Sequence, residues 1–222
     1  MTDFARARLN MVNAQLEPNG INHDALVQAY KTLPRETLVD DTTTKGSVYM
    51  DEDLPLKGGK RWVLDPLVEA RLIQEAIREP AACALVLGAA SLPTVVMLSQ
   101  FVTTLIVLEP DPDIATRAQK RLTEQAVCNV VLIETSYREG YARQAPYDII
   151  LAPGALSSIP TILTEQLARG GRLLGVWREN PRSQGRIVIA RKLDDDSINT
   201  ITLADASTPY LQGFEPKAEF IF

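Results

Sequence analysis

The chain has 222 residues, 45% of them hydrophobic, which is enough to bury a full core as one domain. Its 23 Lys and Arg against 28 Asp and Glu leave a formal net charge of −5. That balance excludes the broad basic surface that sequence-independent nucleic-acid binding needs.

The first residues, MTDFARARLNMVNAQ, have mixed charge and no apolar run of signal-peptide length, and no stretch reaches membrane-spanning length. The expectation is a cytoplasmic protein with no membrane contact. Cys83 and Cys128 make no CxxC motif or Cys/His cluster, so neither a disulfide framework nor a metal site is expected.

Two patterns divide the chain within one expected domain, 1–222. Residues 1–80 read as a helical extension and loop, and residues 81–222 as an α/β core. Asn22 as N-cap predicts a helix from His23 to about Leu33, with Ala25, Leu26, Ala29, Tyr30 and Leu33 on one face. Pro34 stops it. His23 is the only histidine and reads as a surface residue, so no relay needing a second histidine can be built. Asp40 to Lys45 reads as a polar turn and Tyr49 to Gly59 as a loop. Asp65 and Pro66 then open a helix as N-cap and first residue, carrying Leu67, Ala70, Leu72, Ile73 and Ile77 inward.

From Ala81 strands and helices alternate. Strands are predicted at 82–87, 104–109, 130–133, 148–152 and 172–177. Helices are predicted at about 93–101, 112–125 and 159–168, the last closed by Gly170 and Gly171. This alternation implies a parallel sheet covered on both faces. Residues 186–191 and 200–203 flank an acidic turn, Asp194 to Asn199, and predict a terminal antiparallel hairpin.

The strand before Gly88 runs into Ala89, Ala90, Ser91, Leu92 and Pro93 and then an apolar helix, while Glu109 ends the next apolar run 21 residues beyond Gly88. In βαβ nucleotide sites a carboxylate near that spacing accepts hydrogen bonds from ribose hydroxyls. The architecture reads as a nucleotide or S-adenosyl site, but the turn has lost most of its glycines. Gly88 serves the strand-to-helix turn with or without a ligand. Asp65 is open to two readings, a base or substrate contact and a helix cap, and the cap explains it without chemistry. Trp62 and Trp177 flank the loop ends that line such a cleft.

Several pieces in order carry a family resemblance. They are Met11, Val12, Gln15 and Leu16; Leu33, Pro34, Arg35 and Glu36; the Tyr49 to Gly59 loop; and Pro66 opening a helix. Glu109 ends the second strand, and Tyr147 and Asp148 start a later one. Ile159 and Pro160 lead to Gln166 and Leu167, and Gly170, Gly171, Arg172 and Leu173 follow. Along nearly its whole length the chain resembles the protein-L-isoaspartate O-methyltransferase family.

The resemblance implies the class I, Rossmann-like methyltransferase fold: a mostly parallel seven-stranded sheet, an antiparallel C-terminal hairpin and a helical N-terminal extension. It implies S-adenosyl-L-methionine as cofactor and a protein or peptide as substrate or partner. Gly88, Ala90, Ser91 and Glu109 are the cofactor positions it implies, with Asp65 the one weak catalytic candidate.

The departures point elsewhere. The family's acidic-x-Gly-x-Gly-x-Gly pattern puts its acidic position on Val86, its second glycine on Ala90 and its third on Leu92. The family's Thr-Ile-Ser segment is Trp62, Val63 and Leu64 here. Its Gly-Asp-Gly after the third strand is Glu134, Thr135 and Ser136. Leu92 is expected to put a branched side chain where the amino-acid portion of the ligand passes, and Val86 removes a carboxylate partner for a cationic amino group, worth about 1.5–3 kcal/mol. The expectation is a non-catalytic or repurposed relative with a degenerate cofactor site. The alternative is an active isoaspartyl methyltransferase in protein repair, whose chemistry rests on alignment and needs no histidine relay.

Overall fold

A computed structural model describes residues 3–39 and 46–217; the predicted turn at 40–45 lies outside them. Helix α1 (Phe4–Met11) is capped by Asp3 and runs on through a π-helical turn, Val12–Leu16. Helix α2 (Asp24–Thr32) ends where Leu33 turns extended ahead of Pro34. Its cap is His23, not Asn22: the imidazole accepts from the Leu26 amide, and the ring stands edge-on to Phe101. The Asn22 and His23 amides both donate to Gln74 Oε1, at 2.8 and 3.1 Å, which ties this helix start to α3 (Pro66–Ala76). Leu26, Ala29, Tyr30 and Leu33 are buried, but Ala25 is exposed.

Between α2 and α3 lies a short antiparallel ladder, β1 (Leu54–Pro55) with β2 (Trp62–Val63), inside what reads as loop in the sequence. Then follow β3 (Ala81–Leu87), α4 (Leu92–Ser99), β4 (Val102–Leu108), α5 (Pro112–Glu124), β5 (Val130–Ile133) and β6 (Tyr147–Leu156). A single turn, α6 (Thr161–Thr164), precedes β7 (Leu167–Trp177), β8 (Arg186–Lys192) and β9 (Ile198–Asp205).

The main sheet has seven strands in the order β5-β4-β3-β6-β7-β8-β9. Pairing is parallel from β5 to β7 and antiparallel through β8 and β9. This is the expected class I methyltransferase architecture. Alternate strand residues serve two cores. Val86, Val107, Leu151 and Leu174 face α3, α4 and the N-terminal helices, while Leu85, Leu108, Ile150 and Leu173 pack with Tyr137, Tyr147 and Leu163.

The predicted helix at 159–168 shrinks to one turn, and β7 begins at Leu167. Gly170 and Gly171 lie inside that strand, with Gly170 at φ +77° and a register shift against β6. A Cβ at Gly171 would come within 2.6 Å of the Tyr147 carbonyl. Two glycines after an apolar run therefore build a bulge here, not a helix end. Gln166 fixes the break: its amide group bonds the backbone at Glu139, Tyr141 and Ile162.

Candidate functional site

Open α/β sheets bind ligands beyond the carboxyl ends of their strands. At that edge the chain leaves β3 through Gly88, whose φ of +105° favours a residue without a Cβ. A Cβ there would meet Arg61 Nη2 at 3.0 Å, Tyr137 at 3.6 Å and Glu109 Oε2 at 3.8 Å. Those three side chains fill the space in front of the turn.

Glu109 follows β4 directly and is fully buried, beside the turn where its spacing places it. Its Oε2 accepts from the Ala89 amide at 2.8 Å and its Oε1 from the Asp111 amide at 3.0 Å. The same two oxygens receive both ends of a guanidinium, Arg61 Nη2 to Oε2 at 2.6 Å and Nη1 to Oε1 at 2.8 Å. Arg61 keeps only 8% of its side chain exposed. Burial works against its charge, but the bonds and charge of Glu109 outweigh that and raise its pKa above the ordinary value.

Aromatic rings complete the enclosure. The Arg61 guanidinium lies 5.6 Å from the Tyr137 ring centroid, and Phe214 stacks on Tyr137 at 6.3 Å. Burial, with Arg61 opposing and Glu109 adding, pushes the Tyr137 hydroxyl up to about 12. The remaining crevice, between Arg61, Trp62, Leu64, Ser91, Pro153 and the 208–212 segment, measures about 20 Å³. That is room for one water, against the roughly 300–1,000 Å³ of small-molecule sites.

The other turn residues sit as follows. Ala90 and Ser91 line this crevice, but the Ser91 hydroxyl is already engaged, accepting from the Leu64 amide at 3.1 Å and sharing a bond with Thr94 Oγ1 at 2.8 Å. Leu92 does not point into it. It lines a separate cavity of about 300 Å³ with Leu38, Leu56, Ile114 and Ala118, so the obstruction expected of Leu92 does not fall on this crevice. Val86 faces the core, fully buried. Glu134 is exposed at the end of β5, in a groove shared with Ala115, Gln119 and Ile133.

Asp65 caps α3, its Oδ1 accepting from the Leu67 and Val68 amides at 2.9 and 2.8 Å, and it is not among the crevice-lining residues. Its carboxyl is pushed up to about 6 by burial, with Asp51 and Glu69 adding. Trp62 borders the crevice half-buried, whereas Trp177 is 39% exposed with its indole N–H on the Ser157 carbonyl. Among the described residues no group of His, Cys, Asp and Glu is placed to hold a metal ion.

A buried network holds this arrangement to the N-terminal helices. Glu69, fully buried, pairs with the Arg35 guanidinium and accepts from Tyr30 at 2.9 Å and Thr94 at 2.7 Å. Arg35 also donates to the Leu64 and Val48 carbonyls. The turn, the Leu64 segment and the extension are thus tied through one carboxylate. Arg61 and Tyr137 escape the sequence reading: Arg61 lies 48 positions from its partner with no periodic signal, and only its place after Gly58 and Gly59 hints at a turn-borne cation.

Three comparisons bear on this arrangement. A model of the protein-L-isoaspartate(D-aspartate) O-methyltransferase family matches residues 7–208. A protein-L-isoaspartate O-methyltransferase of Koribacter versatilis is 30% identical over 203 residues, 88% of this chain and 90% of its own length. One from Methanospirillum hungatei is 30% identical over 167 residues, 75% and 76% of the two chains. A solved protein-L-isoaspartate O-methyltransferase superposes with a TM-score of 0.76 at 17% identity, over 94% of this chain and 67% of that one. A Plasmodium falciparum structure, assigned to the same enzyme class and in complex with S-adenosyl-L-homocysteine, gives 0.71 at 16%, over 96% and 99%.

Proposed function

Since the chain belongs to the protein-L-isoaspartate(D-aspartate) O-methyltransferase family, we propose that it is a repurposed, non-catalytic relative whose nucleotide site is closed by its own Arg61. One observation carries this reading: the two-pronged pair of Arg61 with Glu109 engages both oxygens of the carboxylate that the fold offers to a ribose. Each oxygen already serves a backbone amide as well, so a ribose diol gains its partners only by displacing a buried guanidinium. Removing one partner of such a pair costs about 3–5 kcal/mol.

Two features support a site closed to S-adenosyl-L-methionine: the crevice at the turn measures about 20 Å³, and Tyr137 and Phe214 stack on one another beside Gly88. The role of the chain on this reading is to bind a protein or peptide partner in the cytoplasm, on a scaffold that retains the methyltransferase architecture.

A second reading, an active isoaspartyl methyltransferase, is favoured by the names of the relatives and by family membership. It requires Arg61 to leave Glu109 whenever the cofactor enters. Incubating the protein with labelled S-adenosyl-L-methionine and an isoaspartyl peptide separates the two. The first reading expects no methyl ester above a protein-free control, and turnover establishes the second.

A further inference from the structure

The two edges of the main sheet differ. At one end β5 is only four residues long. At the other, β9 runs for eight residues and exposes Ile198 (38%), Ile201 (44%) and Leu203 (42%). Between 198 and 204 it has no Lys, Arg, Asp, Glu or Pro. Sheet proteins normally blunt such an edge with charge, proline or a covering segment, because its free N–H and C=O groups template another strand.

The direction of those groups follows from the hairpin. The Leu193 amide donates to the Ser197 carbonyl at 2.8 Å, making that the first bonded pair. Bonded and non-bonded pairs alternate along an antiparallel ladder, so Asn199 and Ile201 bond to Arg191 and Ile189 on β8. The backbone groups of Ile198, Thr200 and Thr202 therefore point outward.

We propose that β9 pairs antiparallel with β9 of a second copy of this chain, about a two-fold axis through Ile201, joining the two sheets into one. In this register Thr200 of each copy bonds Thr202 of the other, and the two Ile201 side chains meet across a non-bonded pair on the axis. Thr–Thr and β-branched pairs are favourable cross-strand neighbours. Asp205, the only charge in the strand, falls opposite Ser197. A register centred on Thr200 sets Asp195 against Asp205, and one centred on Thr202 leaves Ile198 beyond the end of the facing strand. Of these three registers the one centred on Ile201 avoids both. A second copy, unlike an unrelated strand, covers both open edges in one closed contact. The proposal is independent of the state of the crevice.

Sedimentation velocity from low to high micromolar concentration tests it, combined with cysteine crosslinking in a Cys83→Ser, Cys128→Ser background. Concentration-dependent dimerisation is expected. Ile201→Lys, at an exposed site, should raise the dimer midpoint more than about tenfold, because like charges then face each other across the axis. Under mild oxidation Ile201→Cys should form a disulfide-linked dimer while Ile198→Cys stays monomeric. A protein that is monomeric throughout, or a dimer unaffected by Ile201→Lys, or equal crosslinking at 198 and 201, overturns the proposal.

Discussion

The guanidinium of Arg61 lies edge-on to the carboxylate of Glu109, two nitrogens on two oxygens at 2.8 and 2.6 Å, with both groups out of solvent. Arg61 comes from the connection between β1 and β2 and Glu109 from the end of β4, so the pair fastens a peripheral hairpin across the carboxyl edge of the sheet. Arg61→Ala should lower stability by about 3–5 kcal/mol, because it strands a buried charge. Urea unfolding measures this. The double variant Arg61→Ala, Glu109→Gln should recover part of the loss, as only neutral groups then remain. A single variant as stable as the parent would mean the pair does not hold the crevice shut.

Thr94 sits where the turn meets the N-terminal extension. Its hydroxyl donates to Glu69 Oε2 at 2.7 Å and lies 2.8 Å from Ser91 Oγ. Thr94→Val preserves shape but leaves a buried carboxylate oxygen and a buried hydroxyl without this partner. A loss of about 1–3 kcal/mol is expected, read by thermal or urea unfolding. A neutral substitution would remove Glu69 as the tie between turn and extension.

Much of this organisation is legible in the sequence. Apolar strands alternating with amphipathic helices give the parallel sheet, and the Asp194 to Asn199 turn gives the terminal hairpin, because both depend on local periodicity. Asp65 followed by Pro66 marks the start of α3, since a cap is a local device. The helix expected at 159–168 fails because Gly170 and Gly171 serve a strand bulge set by pairing with β6, a long-range cause. Leu92 reads in the sequence as an obstruction of the crevice, whereas the helical turn it begins sets it in the cavity lined by Ile114 and Ala118 of α5. Arg61 is silent in sequence because an ion pair between distant segments leaves no spacing signature.

Asp53 makes stability depend on pH. Its Oδ1 accepts from the Asp65 amide and from Thr208, both at 3.1 Å. Burial, with Asp65 adding, pushes its carboxyl from 3.8 up to about 7. A group that holds its proton more tightly when folded stabilises the fold in acid, and that contribution is lost as pH rises through its folded pKa. Asp53→Asn keeps the oxygen acceptor and cannot ionise. Its stability relative to the parent should therefore improve as pH rises from 3.8 to about 7 and level off above that, as read from urea midpoints. A gap independent of pH would mean that Asp53 ionises freely in the folded protein.

Asp65→Ala removes the two-amide cap of α3 and should cost about 0.5–2 kcal/mol. Asp65→Asn, which keeps the accepting oxygen, should cost less. Equal losses from both variants would point to the charge of Asp65, not its cap, as what the fold uses.

Calorimetric titration of S-adenosyl-L-homocysteine into the unmodified protein is the decisive measurement of the proposed closure. No saturable heat is expected at micromolar concentrations, where a Kd of 1 μM corresponds to about 8 kcal/mol of binding free energy. Measurable binding is expected once Arg61→Ala frees the Glu109 oxygens. A saturable micromolar or tighter isotherm from the unmodified protein would overturn the closure and make Arg61 a displaceable gate on a working cofactor site.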